Sequence, residues 1–177
     1  IFYMPDDPGD VLFILKKGRI QLYRMSPDGR KLIFVILHPG AIFGNMALVG
    51  QHLHQTYAQA VDDCTICVWN REQVEEMFIE KPQIAFRFLE AVGNRLSQVE
   101  ERLADVTFQP IATRLATLLI RLDREDDSSG KLKGYTHQYL ADMLGTYRET
   151  TTQVLNQFKA QSLIQTGRKI IEILDIK

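Results

Sequence analysis

Three groups of residues in this sequence have types and spacing suited to chemistry. The first lies in GTYRETTTQVLNQF, residues 145–158, where Arg148 and Glu149 precede three threonines and Gln153. Arginine bonds bidentately to guanine, glutamine to adenine, and glutamate accepts from a cytosine amino group, so a helix start with these side chains could read base edges. The same stretch fits a solvated surface helix in which Glu149 caps its own N-terminus. The second group is Cys64 and Cys67 in DDCTICVWN. C-x-x-C suits a redox pair or half a zinc site, but this run is β-branched and apolar and reads as a strand. Residues three apart in a strand point to opposite faces, poor geometry for a shared metal or a disulfide. Both are expected to be small buried side chains. The third group is the histidines, His38, His52, His54 and His137. None joins a His-x-His-and-carboxylate set within a strand, although His52 and His54 come closest. No catalytic or metal-ligating residue is assigned, and no enzyme activity is expected.

The elements around the first group decide what it is. Thr136 is a good N-cap for a short helix, HQYLADML, and Gly145 stops that helix as a residue able to adopt left-handed dihedrals. Thr146 is expected to cap the next helix, with Glu149 three residues on completing a capping box. Leu140, Ala141, Leu144, Gly145 and Val154 have helix-turn-helix spacing. SLIQTGRKIIEIL then reads as strand, Thr-Gly turn and strand, a wing whose tip carries Arg168 and Lys169. Net charge is −1 overall, yet residues 130–169 hold six basic and two acidic side chains, a footprint suited to phosphate contact. In such a motif the start of the second helix meets the bases. The expected DNA-contacting set is Thr136, Tyr147, Arg148, Glu149, Thr152, Gln153, Arg168 and Lys169. Thr150, Thr151 and Thr152 are poor helix formers; hydroxyls near phosphates or thymine methyls would account for them.

Upstream, glycines punctuate DVLFILKKG, RIQLYRMSPDG and RKLIFVILHPG. RIQLYR alternates, as a half-buried strand does, whereas LIFVIL is apolar throughout, as in a strand buried on both faces. Short strands with turn signals at this spacing predict an all-β barrel or sandwich. Leu89, Val92, Leu96, Val99, Leu103 and Val106 follow at intervals of 3, 4, 3, 4, 3. A core helix and a coiled-coil dimer seam both use this period. The strict stripe and its charged flanks (Arg95, Glu100, Glu101, Arg102) favour the seam. Pro110 breaks the pattern, so Thr107 to Pro110, with Phe108, reads as a hinge. The expected division is a β domain over residues 1–83, a dimerisation helix over 84–107 and a DNA-binding domain over 108–177, with DREDDSSGKLKG a polar loop. No apolar run is long enough to span a bilayer, and no secretion signal opens the chain. The abrupt start at Ile1 predicts that the N-terminal end of the β domain is missing. Low cysteine use fits a reducing cytoplasm.

A glycine-punctuated barrel, a heptad helix, a hinge and a winged helix-turn-helix together resemble the cyclic-AMP receptor protein and fumarate–nitrate regulator (CRP/FNR) family of bacterial transcription factors. The resemblance covers essentially the whole chain, most specifically in GTYRETTTQVLNQF with its wing and in HPGAIFGNMALV. It implies an α+β architecture: an N-terminal β-roll (cupin-like jelly-roll) sensor domain, a long dimerisation helix and a C-terminal winged helix-turn-helix. It also implies a homodimer on palindromic double-stranded DNA, RNA polymerase as a partner, and an effector held between barrel and long helix. Arg148 and Glu149 match the recognition pair of the cyclic-AMP type, while Gln153 stands where a second arginine is usual. The pocket implied by the resemblance comprises Phe43, Gly44, Asn45, Met46, Gln55, Thr56, Val99 and Glu100. Asn45 replaces the glutamate that takes the ribose hydroxyl, and Gln55-Thr56 replaces the Arg-Ser that takes the phosphate. A neutral amide cannot offset a buried phosphate as a guanidinium does, so cyclic AMP is not the expected effector. Met46 holds the place of the haem-ligating histidine of gas-sensing members, and His52 and His54 follow in an expected exposed loop, so neither haem nor any other cofactor is assigned. A sensor domain without ligand is the first alternative, and a haem-based gas sensor the second.

Overall fold

The computed structural model describes residues 1–9, 11–44, 54–125, 129–167 and 169–174. Asn45, Met46, His52 and Arg168 lie outside the described residues. The chain divides into two compact units, residues 1–26 with 33–99, and residues 27–32 with 100–177.

Among the described residues, six short strands build the first unit: β1 (Val11–Lys17), β2 (Ile20–Met25), β3 (Lys31–Leu37), β4 (Ile42–Phe43), β5 (Tyr57–Ala60) and β6 (Thr65–Asn70). They form two three-stranded sheets, ordered β4-β1-β6 and β3-β2-β5. One core draws on both: Phe13, Leu15 and Phe43 from the first, Ile20, Leu22, Leu37 and Ala58 from the second, with Tyr3 beside them. Burying apolar side chains from two sheets in one interior holds such a roll together. Gly18 makes the β1–β2 turn at φ 84°, and a Cβ there would strike the Asp63 carbonyl and the Cys64 sulfur, so only glycine fits.

The two middle strands exchange the characters their patterns suggested. The alternating β2 has four consecutive buried residues, Ile20 to Tyr23, including Gln21. The Gln21 amide is only half satisfied: its Nε2 donates to Gln59 Oε1 at 2.9 Å, while its own Oε1 has no partner among the described residues. β3, which holds the apolar run LIFVIL, buries only Ile33 and Leu37, and the rest is partly or largely exposed. It is an edge strand, and an edge leaves one flank uncovered. Cys64 and Cys67 are free and half-buried rather than fully enclosed, with Cys64 Sγ donating to the Arg19 carbonyl at 3.2 Å.

Asn70 starts α1 (Arg71–Glu80) with a reciprocal cap: its side chain accepts from Gln73 N at 2.9 Å, and Gln73 Oε1 accepts from Asn70 N at 3.0 Å. Proline at the first position opens α2 (Pro82–Phe108), which has 27 residues and so a length of about 40 Å. Phe88 is its one buried residue, packed with Leu12 and Val74. The helix takes in Thr107 and Phe108, so only Gln109 and Pro110 break the chain before α3 (Ile111–Glu125). Thr107 Oγ1 donates to the Leu103 carbonyl at 2.7 Å, which keeps this expected hinge residue helical.

The second unit packs α3, α4 (His137–Leu144) and α5 (Arg148–Ala160) against a small sheet. That sheet is ordered β7-β9-β8, from β7 (Lys131–Lys133), β8 (Ile164–Gly167) and β9 (Ile170–Ile173). Leu115, Leu119, Leu122, Leu140, Leu155 and Ile171 lie in its core. The segment KLK, expected in a loop, is strand β7: fully buried Leu132 pairs with Ile171, while Lys131 and Lys133 point outward.

Candidate nucleic-acid interface and sensor site

Two helices joined by a sharp turn form the centre of the second unit. Thr136 caps α4 as expected, its hydroxyl accepting from Tyr139 N at 3.1 Å. Gly145 ends α4 in the left-handed region, at φ 66° and ψ 38°. Thr146 does not cap the next helix. Its N–H donates to the Ala141 carbonyl at 3.0 Å, so it closes the end of α4. Tyr147 is the N-cap of α5 and makes no side-chain capping bond; its carbonyl accepts from Thr151 N at 3.1 Å. The expected capping box is therefore absent, and the helix starts one residue later than expected. Glu149 is left free of capping in the first turn, where its negative charge suits the helix dipole.

Tyr147, Arg148, Glu149 and Gln153 are all exposed, leaving this set of side chains accessible at the start of α5. The threonines separate by role. Thr151 is fully buried, with its hydroxyl lacking a hydrogen-bond partner among the described residues, so it serves the core and not a nucleic acid. Thr152 is half-buried, and its Oγ1 lies 2.9 Å from His137 Nδ1, which joins the two helices of the motif. Thr150 is half-exposed.

The strand pair β8–β9 forms the wing, with Gly167 opposite Ile170. Lys169 takes the tip at φ 57°. An open hollow is lined by Thr136, His137 and Gln138 from the start of α4, by Arg148 from α5, and by Gly167 and Lys169 from the wing. Two cationic side chains thus border a depression that also presents hydroxyl and amide groups, the chemistry that phosphate oxygens need. Nothing in the sequence pattern announced His137 and Gln138 here.

The sensor-pocket residues are less gathered. Phe43 and Gly44 are buried in the barrel. Gln55 is exposed, its carbonyl accepting from Arg24 Nε at 3.0 Å. Thr56 bonds through its side chain to buried Tyr3. Val99 and Glu100 are exposed on α2. His54, expected on an exposed loop, is 2% exposed and stacks on Tyr3 at 3.6 Å between ring centroids. Burial pushes the Tyr3 phenol above its ordinary range, against the opposing effects of Thr56, Arg95 and the Gly44 backbone. Tyr3, buried, and Arg95, half-buried, are polar groups that the resemblance did not point to. Among the described residues no group of three or more His, Cys, Asp or Glu could hold a metal ion.

Every expected seam residue stands exposed on α2 in the single chain: Leu89, Val92, Leu96, Val99, Leu103 and Val106. Leu96 is 58% exposed, which rules out the core-helix alternative for this stripe within the chain.

Comparison with known proteins gives a consistent picture. Residues 1–81 match the cyclic nucleotide-binding domain family, and residues 113–177 match the Crp-like helix-turn-helix domain family. A cyclic AMP receptor protein of Thermus thermophilus is 28% identical over 173 residues, covering 98% of this chain and 79% of that protein. The HTH-type transcriptional regulator Cmr of Mycobacterium tuberculosis is 30% identical over 175 residues, covering 99% of this chain and 69% of that protein. In fold, the c-di-GMP-responsive global regulator CLP of Xanthomonas campestris is similar with a TM-score of 0.87 at 22% identity, over 98% of this chain and 89% of that one.

Proposed function

The chain belongs to the CRP/FNR family of transcription regulators, and from that premise we propose that it acts as a homodimer on palindromic DNA under an effector other than cyclic AMP. Residues 1–83 sense, 84–107 dimerise and 108–177 bind DNA. RNA polymerase is the partner this reading implies once DNA is bound. Two recognition helices related by a two-fold axis would enter successive major grooves, about 34–36 Å apart. Among the described residues no helix is long and apolar enough to cross a membrane.

The observation that carries this reading is the accessible set at the start of α5. Arg148, Glu149 and Gln153 are exposed together, and Glu149 is not consumed by a capping bond. Gln153 would favour adenine where a second arginine would favour guanine. Against cyclic AMP stands Gln55, which is uncharged and exposed where the resemblance calls for a phosphate-binding arginine.

Titration of Arg148→Ala against the cognate palindrome and its single-base variants tests the reading. The substitution should cost about 1–3 kcal/mol and relax preference at one base pair. Equal loss on every sequence would reduce Arg148 to a phosphate contact. Cyclic AMP added to the wild-type titration should leave the affinity unchanged, and a clear gain would overturn the effector reading.

A further inference from the structure

His137 gives the hollow of the second unit a side chain that can change charge with pH. It is the first residue of α4, and it lines the hollow with Thr136 and Gln138. The ring is half-buried, and its Nδ1 lies 2.9 Å from Thr152 Oγ1 of α5. One edge is thus fixed between the two helices of the motif. In a neutral imidazole one nitrogen donates and the other accepts, whereas in the imidazolium both donate. The charged ring therefore donates to Thr152 and outward at the same time. It also adds a positive charge that neither neutral tautomer has.

The surroundings suit a phosphate. Arg148 of α5 and Lys169 of the wing border the same hollow, with Tyr135 at its wall. Among the described residues no Asp or Glu lines it. The carboxylates of the flanking elements are placed elsewhere. On α4, Asp142 accepts from Gln138 Nε2 at 2.7 Å. On α5, Glu149 is exposed in the first turn. On β9, Glu172 pairs with Lys131 at 3.2 Å. A charged His137 shares the hollow with two cations, and a phosphate is a group that all three can hold. An anion seated beside an imidazole favours its charged form.

Resting on the DNA-binding reading above, we propose that His137 takes up a proton when a DNA phosphate enters this hollow, which couples DNA affinity to pH. Imidazole carries its charge in acid and gives it up between about pH 5 and 8. Affinity is therefore greatest in acid and falls as pH rises. A phosphate contact carries no sequence information, so the preferred base at each position stays the same across that range.

The test is fluorescence anisotropy at constant ionic strength, from about pH 6 to pH 8. Its probe is a palindromic duplex that the full chain itself selects from a random pool at the acid end. Wild-type affinity should fall by about tenfold per half-site over that range. His137→Arg, charged throughout, should lose the slope and bind at the alkaline end as tightly as wild type does in acid. His137→Gln, whose amide can still bond to Thr152, should bind weakly and without the slope. Calorimetry of the wild type in two buffers of unlike ionisation enthalpy reads the proton directly, and uptake on binding is expected. An affinity indifferent to pH, the wild-type slope retained in His137→Gln, or binding without proton uptake would each overturn the inference and leave the DNA-binding reading standing. A chain that selects no duplex would sink that reading, and the inference with it.

Discussion

Arg114 Nη2 donates to the carbonyl of Leu144 at 2.6 Å, so the guanidinium of α3 closes the C-terminal end of α4 just before the turn into the recognition helix. A helix end leaves carbonyls without partners, and it carries partial negative charge that a cation relieves. This bond sits where α4 stops at Gly145, two residues before Tyr147 caps the next helix.

Arg114→Met keeps most of the side-chain stem and removes the charge and the donors. It should lower stability by about 1–2 kcal/mol, seen as a lower unfolding midpoint, with Arg114→Lys recovering part of the loss. An unchanged midpoint in Arg114→Met would mean that water serves the Leu144 carbonyl equally well.

Thr151 buries a hydroxyl that finds no partner among the described residues. Valine has the same branched shape and nothing to leave unsatisfied. Thr151→Val should therefore stabilise the chain by about 1 kcal/mol and leave DNA affinity intact, since the side chain does not reach the surface. Chemical denaturation reads the first effect and a binding titration the second. A fall in stability would mean that the hydroxyl is hydrogen-bonded.

The exposed stripe on α2 makes a prediction about assembly. Leu96→Glu with Leu103→Glu places two carboxylates on the seam, where like charges from two copies would face one another. Light scattering should then give the mass of one 20.3 kDa chain, and affinity for a full palindrome should collapse towards that of a half-site. A doubly substituted chain that still scatters as a dimer would move the interface elsewhere.

Which features the sequence made legible follows from how local their causes are. The helical stripe from Leu89 to Val106, exposed on α2, could be read because its apolar residues repeat every three or four positions and nothing distant is needed to see it. Gly145 could be read because its left-handed backbone is a property of one residue. The Thr146–Glu149 box could not, because the N–H of Thr146 answers to Ala141 of the preceding helix. Strand β7 was hidden because three residues with one leucine carry no period, and its pairing with Ile171 spans the whole motif. His54 was placed on a loop by its polar neighbours, while burial came from stacking on Tyr3, some fifty residues away. Arg95 was grouped with the charges that flank the seam; its phase relative to Phe88, seven residues earlier, was the signal that sets it apart.

The wing tip has a consequence for how this chain tolerates change. Lys169 holds a left-handed backbone, φ 57°, at a cost of about 1–2 kcal/mol for a residue with a Cβ. Glycine would make the same turn without that cost. Selection for heat resistance alone would therefore drift towards glycine at this position and strip a positive charge from the hollow beside Arg148. On the proposed DNA-binding reading, retaining lysine trades thermal tolerance for grip on DNA.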